Sequence, residues 1–394
     1  MVVMQGASRI TFVSGGLLVA AAWVAGTFGP MGRYQNIVDI LAEATAVLLF
    51  ILAWRYRRDR LAVTTLVIAA ANFLIRTDRV PLTGGTTLTA LAVVMAADFA
   101  IVAIIRDRPV SRLMGIVWTM VLALQAWFVV TGAGLAADGL AVLFEQPGLP
   151  EGAFAAAGIV VIVAFALRRS SFDGSLIWAL IACAGALLGG RGPNSAMLLF
   201  AAAQLALLVG LFEDSYRLAF HDELTGLPGR RALDESLSSL GGTFTIAMLD
   251  IDHFKKFNDR HGHDAGDQVL RMVSDHLART TGGRAYRYGG EEFTIVFPAK
   301  NAADVRDDLE TLRASIAERK FTLRSPDRPK KRPDNPKKRA SSAQRVTVTV
   351  SIGVAGSNSR RRSPGSVLKA ADKALYRAKR SGRNRLVASG DRLK

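Results

Sequence analysis

The sequence predicts two parts: an N-terminal bundle of membrane-spanning α-helices, then an α/β (α+β) domain built on a ferredoxin-like sheet. Three observations predict this. Residues 9 to about 212 are nearly all Ala, Leu, Val, Ile, Gly and Phe with scattered Arg. From Glu213 onward charged residues return and polar and apolar positions alternate. In that second part strand-like and helix-like runs follow one another in the order β-α-β-β-α-β. A composition break of this kind separates a bilayer-embedded part from a water-exposed one.

Eight apolar segments are read in the first part, at 9–28, 36–54, 61–76, 87–105, 113–135, 152–167, 175–190 and 195–212. Each is near the ~20 residues a helix needs to cross a bilayer, although the third and seventh are short. The first resembles a signal peptide, but seven more apolar segments follow it, which favours a retained helix. Arginine sets the orientation. Arg55, Arg57, Arg58, Arg60, Arg106, Arg108, Arg112, Arg168 and Arg169 fall in loops on one side, nine in all, against four (Arg33, Arg76, Arg79, Arg191) on the other. The long loop 136–152 adds Asp138, Glu145 and Glu151 to the poorer side. The richer side is therefore the cytoplasm, and an even number of crossings places both termini there. Asp39, Glu43 and Asp98 lie within or near apolar spans, where a carboxylate sits at an interface, pairs between helices, or serves a ligand.

The formal net charge of +17 raises nucleic acid as a partner. The charge is scattered through loops and one Pro-rich tract, so no nucleic acid is expected. Cys183 is the only cysteine, which excludes an internal disulfide and any cysteine-built metal site.

The last apolar run continues through residues 211–220 without Gly or Pro, as one helix passing from the first part to the second. Phe212, Tyr216 and Ala219 recur on it at helical spacing, suited to packing either on a copy of itself or on its own domain. Beyond it are read a strand at 243–250, a helix at 264–279, two strands around 285–298 joined at Gly289-Gly290, and a helix at 302–319. A strand at 345–355, a helix at 365–380 and a short strand at 384–388 follow, with the helices expected on one face of the sheet. Between them the basic, Pro-rich tract 325–343 cannot form a core and reads as a solvated loop, with anionic lipid headgroups as a sharper alternative.

The chemistry concentrates at two places. The apolar strand ends in Leu249-Asp250-Ile251-Asp252, with Lys255 and Lys256 just beyond. The hairpin Gly289-Gly290-Glu291-Glu292 offers two more carboxylates, and its glycines leave room for a bulky ligand near the backbone. Should the hairpin lie beside the strand, the carboxylates converge into an all-oxygen set suited to Mg²⁺ against phosphate.

The run Arg287-Tyr288-Gly289-Gly290-Glu291-Glu292-Phe293 resembles the signature of GGDEF-family diguanylate cyclases, in a GGEEF variant. Four more stretches match at the family's spacing. They are Asp222 to Pro228; Leu249 to Asp267, with Asp250, Asp252, Phe254, Lys255, Asn258, Asp259, Gly262, His263, Gly266 and Asp267; Thr349 to Ala355; and Ala374 to Lys379 with Gly382-Arg383-Asn384. Together they span residues 214–389 and leave the membrane part uncovered.

The resemblance implies a palm-type domain over 223–394, a connecting helix at 213–222 and a polytopic membrane sensor at 1–212. The implied activity condenses two GTP into cyclic di-GMP with loss of two pyrophosphates, one GTP on each domain of a homodimer. It implies Mg²⁺, or Mn²⁺ in its place, held by Asp250, the Ile251 carbonyl and Glu292 with Glu291 nearby. It makes Glu291 the catalytic carboxylate and Lys255 the cation facing developing phosphate charge. Asn258 and Asp267 then read the guanine edge with His263 close by, Phe254, Gly289 and Gly290 line the GTP site, and Lys379 and Arg383 reach the outer phosphates. It also implies a multi-pass protein of a bacterial inner (cell) membrane, in contact with membrane lipid and with its catalytic domain in the cytoplasm. Departures are Thr280 and Gly283, where the family often carries an inhibitory Arg-x-x-Asp, and Gly229, where Asn is common. An inactive GTP-binding or docking module, and a transporter with a regulatory tail, are the rival readings.

Overall fold

The computed structural model describes residues 4–28, 35–83, 85–105, 120–121, 124–125, 127, 129, 144–190, 192–280, 282–322, 345–358 and 362–391. Most of the predicted segment 113–135, the tract 325–343, and Arg33, Arg106, Arg108, Arg112 and Arg191 lie outside the described residues. The chain divides into two compact units, residues 2–216 and residues 217–394.

The first unit holds α1 (Met4–Phe28), α2 (Gln35–Arg55), α3 (Asp59–Arg76), α4 (Thr86–Ile104), α5 (Leu149–Arg168), α6 (Ser171–Leu188) and most of α7 (Pro193–Phe220). Seven of the eight predicted segments thus coincide with helices. Among the described residues, α2, α4, α5, α6 and α7 are long and apolar enough to cross a membrane. Their outward positions stay apolar, with Ile40, Trp54, Ile104, Ile159 and Leu167 exposed. A helix that is hydrophobic on its outer face as well as its inner one is a candidate membrane span.

Glu43 pairs with Arg76 of α3, and Asp98 of α4 accepts a hydrogen bond from Gln125 Nε2 at 3.1 Å. The strongest polar feature is one the sequence reading treated only as loop charge. Asp173, with no exposed surface, receives Arg60 Nη2 at 2.5 Å, Arg168 Nη2 at 3.1 Å and Ser170 Oγ at 2.7 Å. Arg60 Nε also donates to the Val102 carbonyl at 2.8 Å, and Arg168 donates to those of Ile105, at 3.2 Å, and Ala103. Both arginines therefore satisfy carbonyls left over at the C-terminal end of α4, while Asp173 sits in the first turn of α6, where the helix dipole favours an anion. This cluster joins the start of α3, the ends of α4 and α5 and the start of α6. Arg58 Nη1 lies 3.9 Å from Asp214 Oδ2 of α7, at the same end of the bundle.

The second unit contains α8 (Arg230–Ser238), β1 (Phe244–Ile251), α9 (Phe254–His261), α10 (His263–Leu277), β2 (Arg284–Arg287), β3 (Glu292–Pro298) and α11 (Arg306–Glu318). These are followed by β4 (Phe321–Thr322), β5 (Arg345–Val346), β6 (Val350–Gly356), α12 (Pro364–Arg380) and β7 (Leu386–Ala388). Five strands form one sheet in the order β2-β3-β1-β6-β7, all antiparallel neighbours except β6 and β7. Its first four strands have the ferredoxin-like order the sequence predicts.

The expectation that the helices share one face is corrected. Every residue of β1 is buried, and its side chains alternate between two cores. Ala247, Leu249 and Ile251 pack with α9, α10 and α11; Ile246 and Met248 pack with α8 and α12. A strand apolar on both faces needs cover on both. Helix α12 lies close on β6 because residue 353 is glycine: a Cβ there would fall 2.1 Å from Leu375 N and 2.3 Å from the Ala371 carbonyl oxygen. Helices α8 and α9 are additional to the predicted elements, and β5 pairs with β4 in a small separate sheet rather than extending β6.

Candidate active site

The antiparallel register of β1 and β3 sets Asp250 directly opposite Glu292, at the open end of the buried strand. The hairpin closes through Tyr288 N and Gly289 N, which donate to the Glu292 carbonyl at 2.9 and 3.1 Å, and Ile251 N donates to the Glu291 carbonyl at 3.3 Å. The predicted convergence of strand end and hairpin is therefore present. A Cβ on Gly290 would meet open space, and one on Gly289 would lie 3.0 Å from Glu292 Oε2.

Asp250 is 3% exposed and pairs with Lys379 Nζ at 2.7 Å. Lys379 stands in the last turn of α12, brought in by the close packing of that helix on β6. Burial pushes the Asp250 carboxyl above its ordinary range, and the charges of Glu292 and Asp252 add to this while Lys379 opposes it. The Glu291 carboxyl is also raised, first by burial and then by Asp250 and Glu292, with Lys379 again opposing. Asp252, buried, instead accepts Thr349 Oγ1 and Ser351 Oγ, both at 2.6 Å, and Asn384 N at 3.0 Å, which braces the strand end.

Beside the carboxylates opens a cleft of about 440 Å³ lined by Phe254, Lys255, Asn258, His263, Asp267 and Glu291, together with Asp259, Leu270, Arg287 and Gly290. Lys255 and Asn258 come from α9; His263 and Asp267 come from the first turns of α10. Arg383 lies in a left-handed turn after α12 (φ 61°) and does not line this cleft. At residue 283 a side chain would strike the Phe297 ring, its Cβ only 2.5 Å from that ring, so no aspartate fits there without displacing the core.

Among the described residues no three His, Cys, Asp or Glu side chains gather closely enough to hold a metal ion. The donor set nevertheless fits a hard divalent cation. Asp250, the Ile251 carbonyl, Glu291 and Glu292 are all oxygen donors, and Asp250 and Glu291, raised first by burial and then by neighbouring carboxylates, have Lys379 as the cation that opposes the shift.

Arg287 and Asp222 stood within motifs but carried no predicted role. Asp222 Oδ1 accepts from Thr225 N at 2.8 Å, Thr225 Oγ1 at 2.6 Å and Arg287 Nη1 at 2.7 Å. Arg287 also donates from Nη2 to the Gly290 carbonyl at 2.7 Å and from Nε to the Gly289 carbonyl at 3.2 Å. One guanidinium thus ties the opening turn to the hairpin tip. Its place two residues before Gly289 on a strand that abuts the hairpin was the available signal. Although burial acts to raise it, Thr225 and Arg287 hold the Asp222 carboxyl below its ordinary range.

Comparison with known proteins bears on residues 219–385, which match the family described as "Diguanylate cyclase, GGDEF domain". Diguanylate cyclase DgcP of Pseudomonas aeruginosa is 37% identical over 183 residues, 44% of this chain and 24% of that protein. Response regulator PleD of Caulobacter vibrioides is 37% identical over 186 residues, 44% of this chain and 37% of that protein. The chain thus spans between 24% and 37% of the length of these curated relatives. The crystal structure of the GGDEF domain of DgcB from Caulobacter crescentus in complex with c-di-GMP is 37% identical, with a TM-score of 0.37, covering 44% of this chain and 94% of that one.

Proposed function

Residues 219–385 belong to the GGDEF family, and from that premise we propose that the protein is a membrane-anchored diguanylate cyclase, joining two GTP into cyclic di-GMP. The observation that carries the reading is Asp250 facing Glu292 across the strand pair, with Lys379 on Asp250 and a nucleotide-sized cleft beside them.

In this reading Asn258 and Asp267 engage the guanine edge, with Phe254 beneath it and His263 at the rim. Lys255 faces the phosphate charge that builds during transfer. Lys379 and Arg383 supply cations for the β- and γ-phosphates. Asp250, the Ile251 carbonyl and Glu292, with Glu291 adjacent, would hold Mg²⁺ or Mn²⁺, which when bound screens the triphosphate and makes the α-phosphorus more electrophilic. The raised Glu291 carboxyl is suited to take the proton of a ribose 3′-hydroxyl. The O3′–Pα bond forms, the bond from Pα to the bridging oxygen breaks, and pyrophosphate leaves. A second, reciprocal transfer closes the ring. Because each domain holds one GTP, two copies must face each other, so a homodimer follows from the chemistry. The five apolar helices and the arginine-rich loops support a multi-pass inner-membrane protein with this domain in the cytoplasm. The membrane unit then acts on the catalytic pair through α7, on which Phe212 and Tyr216 are exposed.

The test uses the full chain in detergent or nanodiscs with GTP and Mg²⁺, reading product by mass spectrometry. Cyclic di-GMP forms, its formation stops with a chelator, and Glu291→Gln abolishes it while GTP still binds. A dimeric preparation that binds GTP and makes no product overturns the reading in favour of a GTP-binding module.

A further inference from the structure

Gly266 sits near the start of α10, where no left-handed conformation calls for glycine. Its surroundings supply the reason. A Cβ at residue 266 would lie 1.9 Å from Asn258 Oδ1, 2.9 Å from Asn258 Cγ and 3.1 Å from Phe254 Cζ. The side-chain amide of Asn258, on α9, is thus seated directly on the bare Cα of Gly266. Its Oδ1 is buried there and has no hydrogen-bond partner among the described residues. A planar amide whose oxygen is turned into the helix–helix contact presents its NH₂ arm the other way, and Asn258 lines the cleft.

We propose that Gly266 is a positioning residue for nucleobase selection: it seats Asn258 so that an NH₂ donor enters the cleft beside the Asp267 carboxylate acceptor. This rests on the reading of the cleft as a guanine site. A donor beside an acceptor complements a purine edge carrying both a ring or carbonyl acceptor and N–H donors, as guanine does. With the Asp267 carboxylate taking the N1–H and N2–H₂ donors of guanine, adenine in the same pose turns the lone pair of N1 toward it and binds less well. The opposite orientation would instead turn the NH₂ group into that contact, where the buried Oδ1 finds no hydrogen-bond partner among the described residues. The Phe254 ring touches the same spot, so Gly266 sets both the edge reader and the apolar floor.

The experiment measures equilibrium binding of the α,β-methylene analogues of GTP and ATP to the full chain in detergent, for wild type, Gly266→Ala, Asn258→Ala and the double variant. Gly266→Ala weakens the guanine analogue about tenfold or more and leaves the adenine analogue within about twofold, so the selectivity ratio collapses. Asn258→Ala does the same, and the double variant is no worse than Asn258→Ala alone, because the clash has gone with the amide. Should Gly266→Ala fold poorly, recovery of folding in the double variant supports the same contact. Guanine affinity of Gly266→Ala within twofold of wild type overturns the proposal. So does an equal loss from Gly266→Ala in the Asn258→Ala background, which marks a structural effect. Unchanged guanine affinity in Asn258→Ala removes the base reader, and this inference with it. Selective guanine binding without cyclic di-GMP formation leaves the seat standing while the proposed activity falls.

Discussion

Replacing Arg287 by alanine removes three contacts at once: the pair with Asp222 and the hydrogen bonds to the carbonyls of Gly289 and Gly290. The Arg287 side chain is 14% exposed and that of Asp222 25%, so water replaces the lost partners only in part. Hydrogen bonds to charged groups contribute about 1.5–3 kcal/mol when buried, and partial exposure discounts that, so the loss comes to about 2–3 kcal/mol in all. The loss is local to the hairpin, where Tyr288 N and Gly289 N hold the Glu292 carbonyl. Hydrogen exchange is therefore the assay. Amides of residues 288–292 in Arg287→Ala exchange about 30–150-fold faster than in wild type, while β1 amides away from the hairpin change little. Arg287→Lys falls between the two, since it retains charge but not the fork that reaches Asp222 and the glycine carbonyls together. There is a pH signature as well. The Asp222 carboxyl is held below its ordinary range, so its stabilisation is complete above the ordinary carboxylate pKa and is lost as pH falls through the lowered value. In Arg287→Ala that acid-side loss shrinks. Hairpin exchange unchanged from wild type would refute the clamp.

Asp173→Asn removes the carboxylate shared by the buried Arg60 and the partly exposed Arg168, so the helical unit loses about 3 kcal/mol, measured as thermal stability in detergent; an undiminished melting temperature counts against the cluster as a tie. Gly353→Ala forces a Cβ onto backbone atoms of α12 and costs about 3 kcal/mol or more, read by limited proteolysis of the domain. Wild-type resistance would mean that α12 has room the packing denies. Lys379→Met strips Asp250 of its ammonium partner and, in the proposed reading, the triphosphate of a cation, so KM for GTP rises about tenfold or more; unchanged KM and kcat would remove Lys379 from the site.

What was legible in the sequence followed from local periodicity and from side chains whose chemistry shows in a short run. Helices α1 to α7 announce themselves by continuous apolar length, and five of them are long and apolar enough to cross a membrane. The ferredoxin-like strand order followed from the run of elements, and Asp250 with Glu291 and Glu292 from their places at a strand end and a turn. The helices on both faces were missed because β1 was read as an apolar strand without asking what its two faces pack against; Ile246 and Met248 already require a second cover. Helix α9 was missed because its eight residues carry only Phe254 into the core, too little periodicity to separate it from a loop. The clusters around Asp173 and Arg287 were illegible for another reason. Their partners lie 113 and 65 residues apart in sequence, and an arginine in a loop looks the same whether it faces water or a buried aspartate.

The catalytic end of the sheet is built against its own stability. Three carboxylates, Asp250, Glu291 and Glu292, stand near one ammonium, and two of them are raised above the ordinary range, first by burial. A raised carboxyl holds its proton more tightly in the folded chain than in the unfolded one. Each therefore withdraws stability as pH rises from the ordinary carboxylate pKa through its raised value, and the withdrawal is complete above that raised value. A fold selected for stability alone would bury an apolar residue beside Leu249 and Phe293 at this position. Asp252 shows the contrast one turn away: a buried aspartate given two hydroxyls and a backbone amide by Thr349, Ser351 and Asn384. The chain satisfies the carboxylate that braces the strand and leaves the neighbouring set short of positive charge. In the proposed reading a cation-bound triphosphate relieves that deficit, so the feature that weakens the domain is also the one suited to draw its substrate.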